Sequence, residues 1–107
     1  MRAKRIVIIG GGYIGVELAE ELNNMKSKRI SIVEKLDCCL GTTLDEEFTL
    51  EVENRLRKRG VVIYTQAEVK EIGGKDKASY VRLKNGKKIF IDMIIVSVGV
   101  KPNIDII

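Results

Sequence analysis

Hydrophobic and polar positions change their spacing several times along the chain, and each change predicts a new element. Arg5–Ile9 is a β-branched run without polar alternation, which is typical of a strand buried on both faces of a parallel sheet. From Tyr13 the apolar residues recur at helical spacing, and this helix is expected to end within Asn23–Lys28. Ile30–Glu34 then resembles the first strand and finishes on an acid.

A second helix and a third strand follow. Thr43 and Glu46 have the spacing of a capping box, in which each side chain satisfies a free backbone donor of the other residue. The helix is expected to stop at Gly60, after a last turn rich in cations that complement the helix dipole. Val61–Tyr64 is the predicted third strand, so the order to this point is β-α-β-α-β.

In the second half of the chain, short segments of alternating polar and apolar residues replace the buried strands and helices. Glu68–Ile72, Ser79–Leu83 and Lys88–Ile91 are short alternating segments, and Asn85-Gly86 is a strong signal for a two-residue hairpin turn. Asp92–Val98 returns to the pattern of a buried parallel strand. The pattern predicts an α/β, Rossmann-like three-layer domain: a parallel sheet with flanking helices plus a three-stranded antiparallel meander.

Composition narrows the function classes. The 107 residues suffice for one domain, and 45% hydrophobic with 32% charged residues is typical of an ordinary globular protein, for which we expect a cytoplasmic location and no membrane span. The net charge of +4 is spread along the chain and only 5% of residues are aromatic, so we expect no nucleic-acid partner. There is no histidine, and Cys38 and Cys39 are adjacent, which argues against a metal site or a histidine-dependent catalytic triad.

The glycines between the first strand and the first helix are the first candidate ligand-binding residues. Residues 10–15 (GGGYIG) fit the pattern G-x-G-x-x-G, and their position between a strand and a helix favours a dinucleotide site. Gly10 would allow a tight turn, Gly12 would let a pyrophosphate approach the backbone, and Gly15 would let the helix pack close to the sheet. The helix N-terminus offers free N–H groups and a partial positive charge to the phosphates.

The acid at the end of the second strand indicates which dinucleotide binds. Glu34 has the spacing expected of a carboxylate that accepts hydrogen bonds from the adenine ribose hydroxyls, and it would repel a 2′-phosphate. No arginine lies between Glu34 and Thr43, although Lys35 follows directly. We therefore expect NAD(H) in preference to NADP(H). A solvated acid at the end of a strand is the alternative reading of Glu34, and FAD or the adenosine ligand of a sensor domain could share the fingerprint.

Four segments together resemble the NAD(P)H-binding domain of the FAD-dependent pyridine nucleotide–disulfide oxidoreductases, the group that includes glutathione reductase, NADH oxidase and coenzyme A disulfide reductase. They are Gly10–Leu22, Ile30–Lys35, Leu44–Val61 and Asp92–Asn103. In this family the FAD domain ends on glycine followed by Ser-x-Pro, whereas the NAD domain ends on Gly-x-x-Pro-Asn, as residues 99–103 do here.

The resemblance implies a role for several residues. Tyr13 matches a tyrosine that covers the nicotinamide pocket, although an amphipathic residue at a helix start is the alternative reading. Glu17 matches a carboxylate near nicotinamide and flavin, although an acid in a first helical turn is the alternative reading. Gly99 matches backbone beside the nicotinamide. Val69 matches a residue beside the adenine, although it would serve equally as strand core. No catalytic set is complete, no metal site is expected, and the expected cofactor-binding residues are Gly10, Gly11, Gly12, Tyr13, Ile14, Gly15, Glu17, Glu34, Lys35, Val69 and Gly99.

The family's enzymes are several times longer than this chain. We therefore expect residues 1–107 to be a single NAD(H)-binding domain excised from a larger flavoenzyme, in which it would work beside FAD-binding and dimerisation domains. Such a domain would bind NADH without turnover, because the FAD would be held elsewhere. A non-catalytic NAD(H)-sensing regulatory domain is the main alternative, and an independent small dehydrogenase would need a substrate base of its own.

Overall fold

A computed structural model of the chain describes residues 4–10, 13–25, 28–35 and 46–97, with only the backbone at 13, 14, 46 and 48. The helices and strands come in the predicted order, and their ends lie within a few residues of the predicted ones. They are β1 (Arg5–Ile9), α1 (Tyr13–Asn23), β2 (Arg29–Val33), α2 (Glu46–Lys58), β3 (Val62–Tyr64), β4 (Val69–Gly73), β5 (Tyr80–Leu83), β6 (Lys88–Phe90) and β7 (Met93–Val96).

Four strands form a parallel sheet in the order β3-β2-β1-β7. β1 lies in the middle, where Ile6 is in register with Ile30 of β2 on one side and with Met93 of β7 on the other. The four strands end at the same edge of the sheet because all of them run in one direction. This confirms the predicted parallel sheet.

The alternation of side chains along β1 explains why that strand is apolar throughout. Ile6 and Ile8 face one side, where α1 and α2 supply Val16, Leu22 and Leu56 to a common cluster. Val7 faces the other side and packs under the antiparallel meander. Both faces of the parallel sheet are therefore covered, by the two helices on one face and by β4–β6 on the other.

The meander pairs β4 with β5 and β5 with β6, all antiparallel. Its second hairpin differs from the predicted two-residue turn. The Gly86 N–H donates to the Leu83 carbonyl (2.9 Å), and the Leu83 N–H donates to the Lys87 carbonyl (2.8 Å), so residues 84–86 form a three-residue loop. Gly86 has φ +96°, whereas Asn85 does not have a positive φ. This is the arrangement of a type I turn followed by a G1 bulge.

The glycine after α2 was predicted correctly. Gly60 has φ +95° and its N–H donates to the Arg57 carbonyl, so it ends the helix as expected. The predicted capping box at Thr43 and the adjacent cysteines lie outside the described residues, as does the Gly-x-x-Pro-Asn segment. Neither described helix has the length and apolar character that crossing a membrane requires.

Candidate functional site

The carboxyl edge of the parallel sheet, defined here by Gly10, Glu34, Tyr64 and Ser97, brings the ends of all four strands together. The Gly10 N–H donates to the Val33 carbonyl at 2.8 Å, the Ser97 N–H to the Ile9 carbonyl at 2.7 Å, and the Glu34 N–H to the Tyr64 carbonyl at 2.8 Å. Each strand is thus hydrogen-bonded to its neighbour at the point where it ends. Open parallel sheets bind their ligands at this edge.

Glycine is required at both described ends of the G-x-G-x-x-G motif. Gly10 has φ +104°, a conformation that other residues rarely adopt. A Cβ atom on Gly15 would overlap the Gly10 carbonyl oxygen and lie 3.4 Å from the Ser97 hydroxyl oxygen. The first turn of α1 therefore packs directly on the backbone that leaves β1.

The centre of that motif is described less fully. Gly11 and Gly12 lie outside the described residues, and for Tyr13 and Ile14 the structure gives the helical backbone alone. α1 begins at Tyr13, three residues after Gly10, so its N-terminal backbone follows the glycine turn directly. The free N–H groups of a helix N-terminus are suited to bind an anionic ligand.

Glu34 is the first residue after β2, and only 8% of it is exposed. Its backbone is held on both sides, because its N–H donates to Tyr64 and its carbonyl accepts the Ala67 N–H at 2.9 Å. The alternative reading of Glu34 as a solvated acid is therefore wrong. A largely buried carboxylate lies beside the glycine turn, one residue from the carbonyl that Gly10 bonds.

Three other predicted site residues lie in different surroundings. Glu17 is exposed in the second turn of α1, whose first turn contains no acid, so the alternative explanation of Glu17 as a first-turn acid is wrong. Val69 opens β4 opposite Leu83 and packs partly against the meander cluster, which is the strand-core position considered for it. Lys35 is exposed directly after Glu34, and Gly99 lies outside the described residues.

Charged side chains crowd the segment that follows Tyr64. The Glu68 carboxylate pairs with the Lys84 ammonium at 2.5 Å, and the Lys84 N–H donates to the Glu68 carbonyl at 2.9 Å. The hydrogen bond from Lys84 holds the pKa of the Glu68 carboxyl below its ordinary value of 4.5, and the charges of Lys84 and Lys35 lower it further. The Lys87 ammonium lies 5.8 Å from the centre of the Tyr64 ring.

Sequence reasoning missed Ser97, Tyr64 and Glu68 as neighbours of the edge. Ser97 could have been found, because it is the first polar residue after the apolar run of β7 and therefore lies at the same edge as Gly10. Glu68 gave no such signal. Its position depends on how the chain passes from β3 to β4, and on the Ala67 hydrogen bond in particular.

Comparison with known proteins agrees with this geometry. The family described as pyridine nucleotide-disulphide oxidoreductase matches residues 1–107. The chain belongs to this family. It is 34% identical to an NADH oxidase from Enterococcus faecalis over 106 residues, which are 98% of this chain and 24% of that protein.

Two solved structures share the fold closely. An FAD-dependent pyridine nucleotide-disulphide oxidoreductase from Desulfovibrio vulgaris has a TM-score of 0.89 and 28% identity, covering 95% of this chain and 26% of that one. A water-forming NADH oxidase from Lactobacillus brevis, bound to NADH, has a TM-score of 0.86 and 26% identity, covering 95% and 22%. The predicted family and fold are confirmed, and the chain spans about a quarter of the length of these relatives.

Proposed function

We propose that residues 1–107 form the NADH-binding domain of an FAD-dependent oxidoreductase and position the nicotinamide for hydride transfer to a flavin held outside these residues. Family membership supports the oxidoreductase class and gives no support to the sensing alternative. NADH supplies the hydride and FAD accepts it when both are bound.

The observation that carries the proposal is the buried carboxylate of Glu34 beside the glycine turn. Glu34 is only 8% exposed, so water screens its charge little, and hydrogen bonds that an ionised carboxylate accepts from hydroxyl groups are strong. The adenine ribose of NADH has a pair of neighbouring hydroxyls, and the Rossmann arrangement places an acid at this strand end to bind them. The same carboxylate would repel the 2′-phosphate of NADPH.

The described ends of the glycine turn support a phosphate-binding role in this proposal. Without a Cβ at Gly15, α1 packs against Gly10, so its N-terminal N–H groups stay close to the end of β1. In the proposal these N–H groups bind the pyrophosphate, with Gly11, Gly12, Tyr13 and Ile14 completing the loop. Glu17 and Gly99 would lie towards the nicotinamide, and Lys35 and Val69 towards the adenosine.

Isothermal titration of the 107-residue chain with NADH and NADPH tests the proposal. We expect NADH to bind more tightly than NADPH. The near-ultraviolet absorbance of the bound NADH should stay constant, which would show that it is not oxidised. Glu34→Gln keeps the side-chain size and removes the charge, so it should weaken NADH binding by about tenfold or more, since hydrogen bonds to charged groups are worth about 1.5–3 kcal/mol. It should also narrow the preference for NADH over NADPH.

Glu51→Gln is the matched control, because Glu51 is an exposed acid on α2. This variant makes the same change in net charge and should leave both affinities unchanged. Equal affinity of the unsubstituted chain for NADH and NADPH, or binding of neither, would contradict the role given to Glu34. Circular dichroism of each variant establishes that the fold is retained.

A further inference from the structure

The backbone of a second acid, Glu68, is joined to that of Glu34 through a single hydrogen bond. The Glu34 carbonyl accepts the Ala67 N–H at 2.9 Å, and Glu68 is the next residue. The Glu68 carbonyl in turn accepts the Lys84 N–H at 2.9 Å. The backbone of Glu68 is therefore fixed between the predicted ribose-binding edge and the β5–β6 loop.

Two ammonium groups act on the Glu68 side chain. Lys84 pairs with it at 2.5 Å, and the charge of Lys35, the residue that follows Glu34, also stabilises the ionised carboxylate. Without Glu68, Lys84 would lose this ion pair and Lys35 would lose an opposing charge, on segments that are bonded to or follow Glu34. Lysine ammonium groups are well suited to bind phosphate as point charges.

We propose that Glu68 is a specificity-determining residue, which neutralises Lys84 and Lys35 and so prevents them from attracting a 2′-phosphate to the ribose-binding edge. The inference rests on the proposed binding of NADH and adds a second carboxylate to the discrimination. Glu34 acts on the 2′ position directly. Glu68 acts on the 2′ position indirectly, because it offsets the charge of the two lysines.

Exposure sets the size of the effect. The side chains of Lys84 and Glu68 are 66% and 38% exposed, so water and salt screen the pair. Exposed ion pairs contribute little, so we expect a change in affinity of roughly 1.4- to 5-fold. The change should be seen in the ratio of the two affinities and should shrink as the salt concentration rises.

The experiment compares the dissociation constants of NADH and NADPH for the unsubstituted chain and for Glu68→Gln at low ionic strength. We expect the NADPH constant to fall by about threefold relative to the NADH constant, an effect of the size of one exposed ion pair. Raising the salt concentration should remove most of this gain. The double variant with Lys84→Gln should return most of the ratio to its original value, because the cation that pairs directly with Glu68 is then absent.

Glu71→Gln is the matched control. Glu71 lies further along β4, and its exposed carboxylate is paired with Arg82 at 3.5 Å. Each of the two variants removes one carboxylate, so their net charges are equal. An unchanged ratio in Glu68→Gln, or an equal change in Glu71→Gln, would overturn the inference while leaving NADH binding intact. Failure of the unsubstituted chain to bind NADH would overturn this inference together with the proposed function.

Discussion

At the scale of single residues, the packing of α1 at Gly15 depends on the absence of a Cβ atom in glycine. The Cβ of any other residue there would overlap the Gly10 carbonyl oxygen, and that oxygen belongs to backbone fixed by the bond from the Gly10 N–H to Val33. Backbone cannot rotate away as a flexible side chain can. Close packing of α1 on the end of β1 is therefore possible only with glycine at position 15.

Gly15→Ala should reduce both stability and nucleotide binding. The added methyl group forces α1 away from Gly10, and overpacking of this kind costs about 1–3 kcal/mol of unfolding free energy. Urea unfolding gives the change in stability, and titration with NADH gives the change in affinity.

Gly60→Ala is the control, because nothing lies within 4 Å of the position its Cβ would take and only its φ of +95° opposes the substitution. This variant should lose about 1–2 kcal/mol through backbone strain alone. It should bind NADH as the unsubstituted chain does. If Gly15→Ala binds NADH equally well, close packing of α1 on β1 is not needed for the site.

The sequence predicted single residues correctly where the local backbone geometry determines which residue type is allowed. Gly10, Gly15 and Gly60 were assigned from their places at the ends of elements, and all three have the conformation or the close contact expected. The burial of Glu34 could not be predicted in that way. It follows from bonds to Tyr64 and Ala67, which lie at least thirty residues away in the chain.

At the scale of elements, α2 shows how one helix serves two environments. Leu56 is fully buried in the cluster beneath both helices, whereas Leu50 is 47% exposed on the same helix. α2 is also joined to α1 at the surface, where the Arg55 guanidinium bonds the Glu20 carboxylate at 2.7 Å. The buried contact should dominate, because exposed ion pairs contribute little.

Leu56→Ala should lower the free energy of unfolding by about 2–5 kcal/mol, because it removes buried methyl groups and leaves a cavity. Leu50→Ala is the same substitution at an exposed position of the same helix, and it should change stability by less than about 0.5 kcal/mol. Urea unfolding of both variants gives the comparison. Equal losses would mean that α2 does not pack through the face that carries Leu56.

Periodicity predicted the elements well, because a two-sided sheet and an amphipathic helix leave different apolar spacings. The Asn85-Gly86 pair was a less reliable guide to the turn that it forms. Two-residue and three-residue loops both favour glycine with positive φ, and the difference lies in whether Asn85 also adopts it. In this hairpin the Asn85 side chain instead accepts the Lys87 N–H at 2.9 Å, a contact that spacing alone does not predict.

At the scale of the whole molecule, the parallel sheet is completed by residues far apart in the chain. β7 pairs with β1, and Asp92 fixes the start of that pairing. Its carboxylate accepts the N–H groups of Lys4 at 3.0 Å and Arg5 at 2.8 Å, and it faces the Arg5 guanidinium at 3.5 Å. These bonds join positions that are 87 and 88 residues apart.

This contact should make stability depend on pH. The N–H groups of Arg5 and Lys4 hold the pKa of Asp92 below its ordinary value of 3.8, so the folded state favours the carboxylate. Its contribution is complete at pH values well above 3.8 and is lost as the pH falls through the lower pKa of the folded state. Asp92→Asn should therefore be less stable than the unsubstituted chain at neutral pH, and the difference should shrink in acid.

Urea unfolding midpoints measured from neutral pH down to pH 2 give this difference, with pH 2 chosen to lie about two units below the usual aspartate pKa. Asp76→Asn, in the exposed β4–β5 loop, is the control and should show no such trend. A difference for Asp92→Asn that stays constant across the series would mean that Asp92 acts without its charge.

The position of β7 also has a consequence for how the protein is made. β1 is made well before β7, and one of its two edges has no partner until residues 93–96 have left the ribosome. In the meantime β2 can cover only the other edge, and the exposed edge is a template for wrong pairing. Folding of this sheet should therefore wait until β7 has been made, and before that point a chaperone would have its greatest effect on β1.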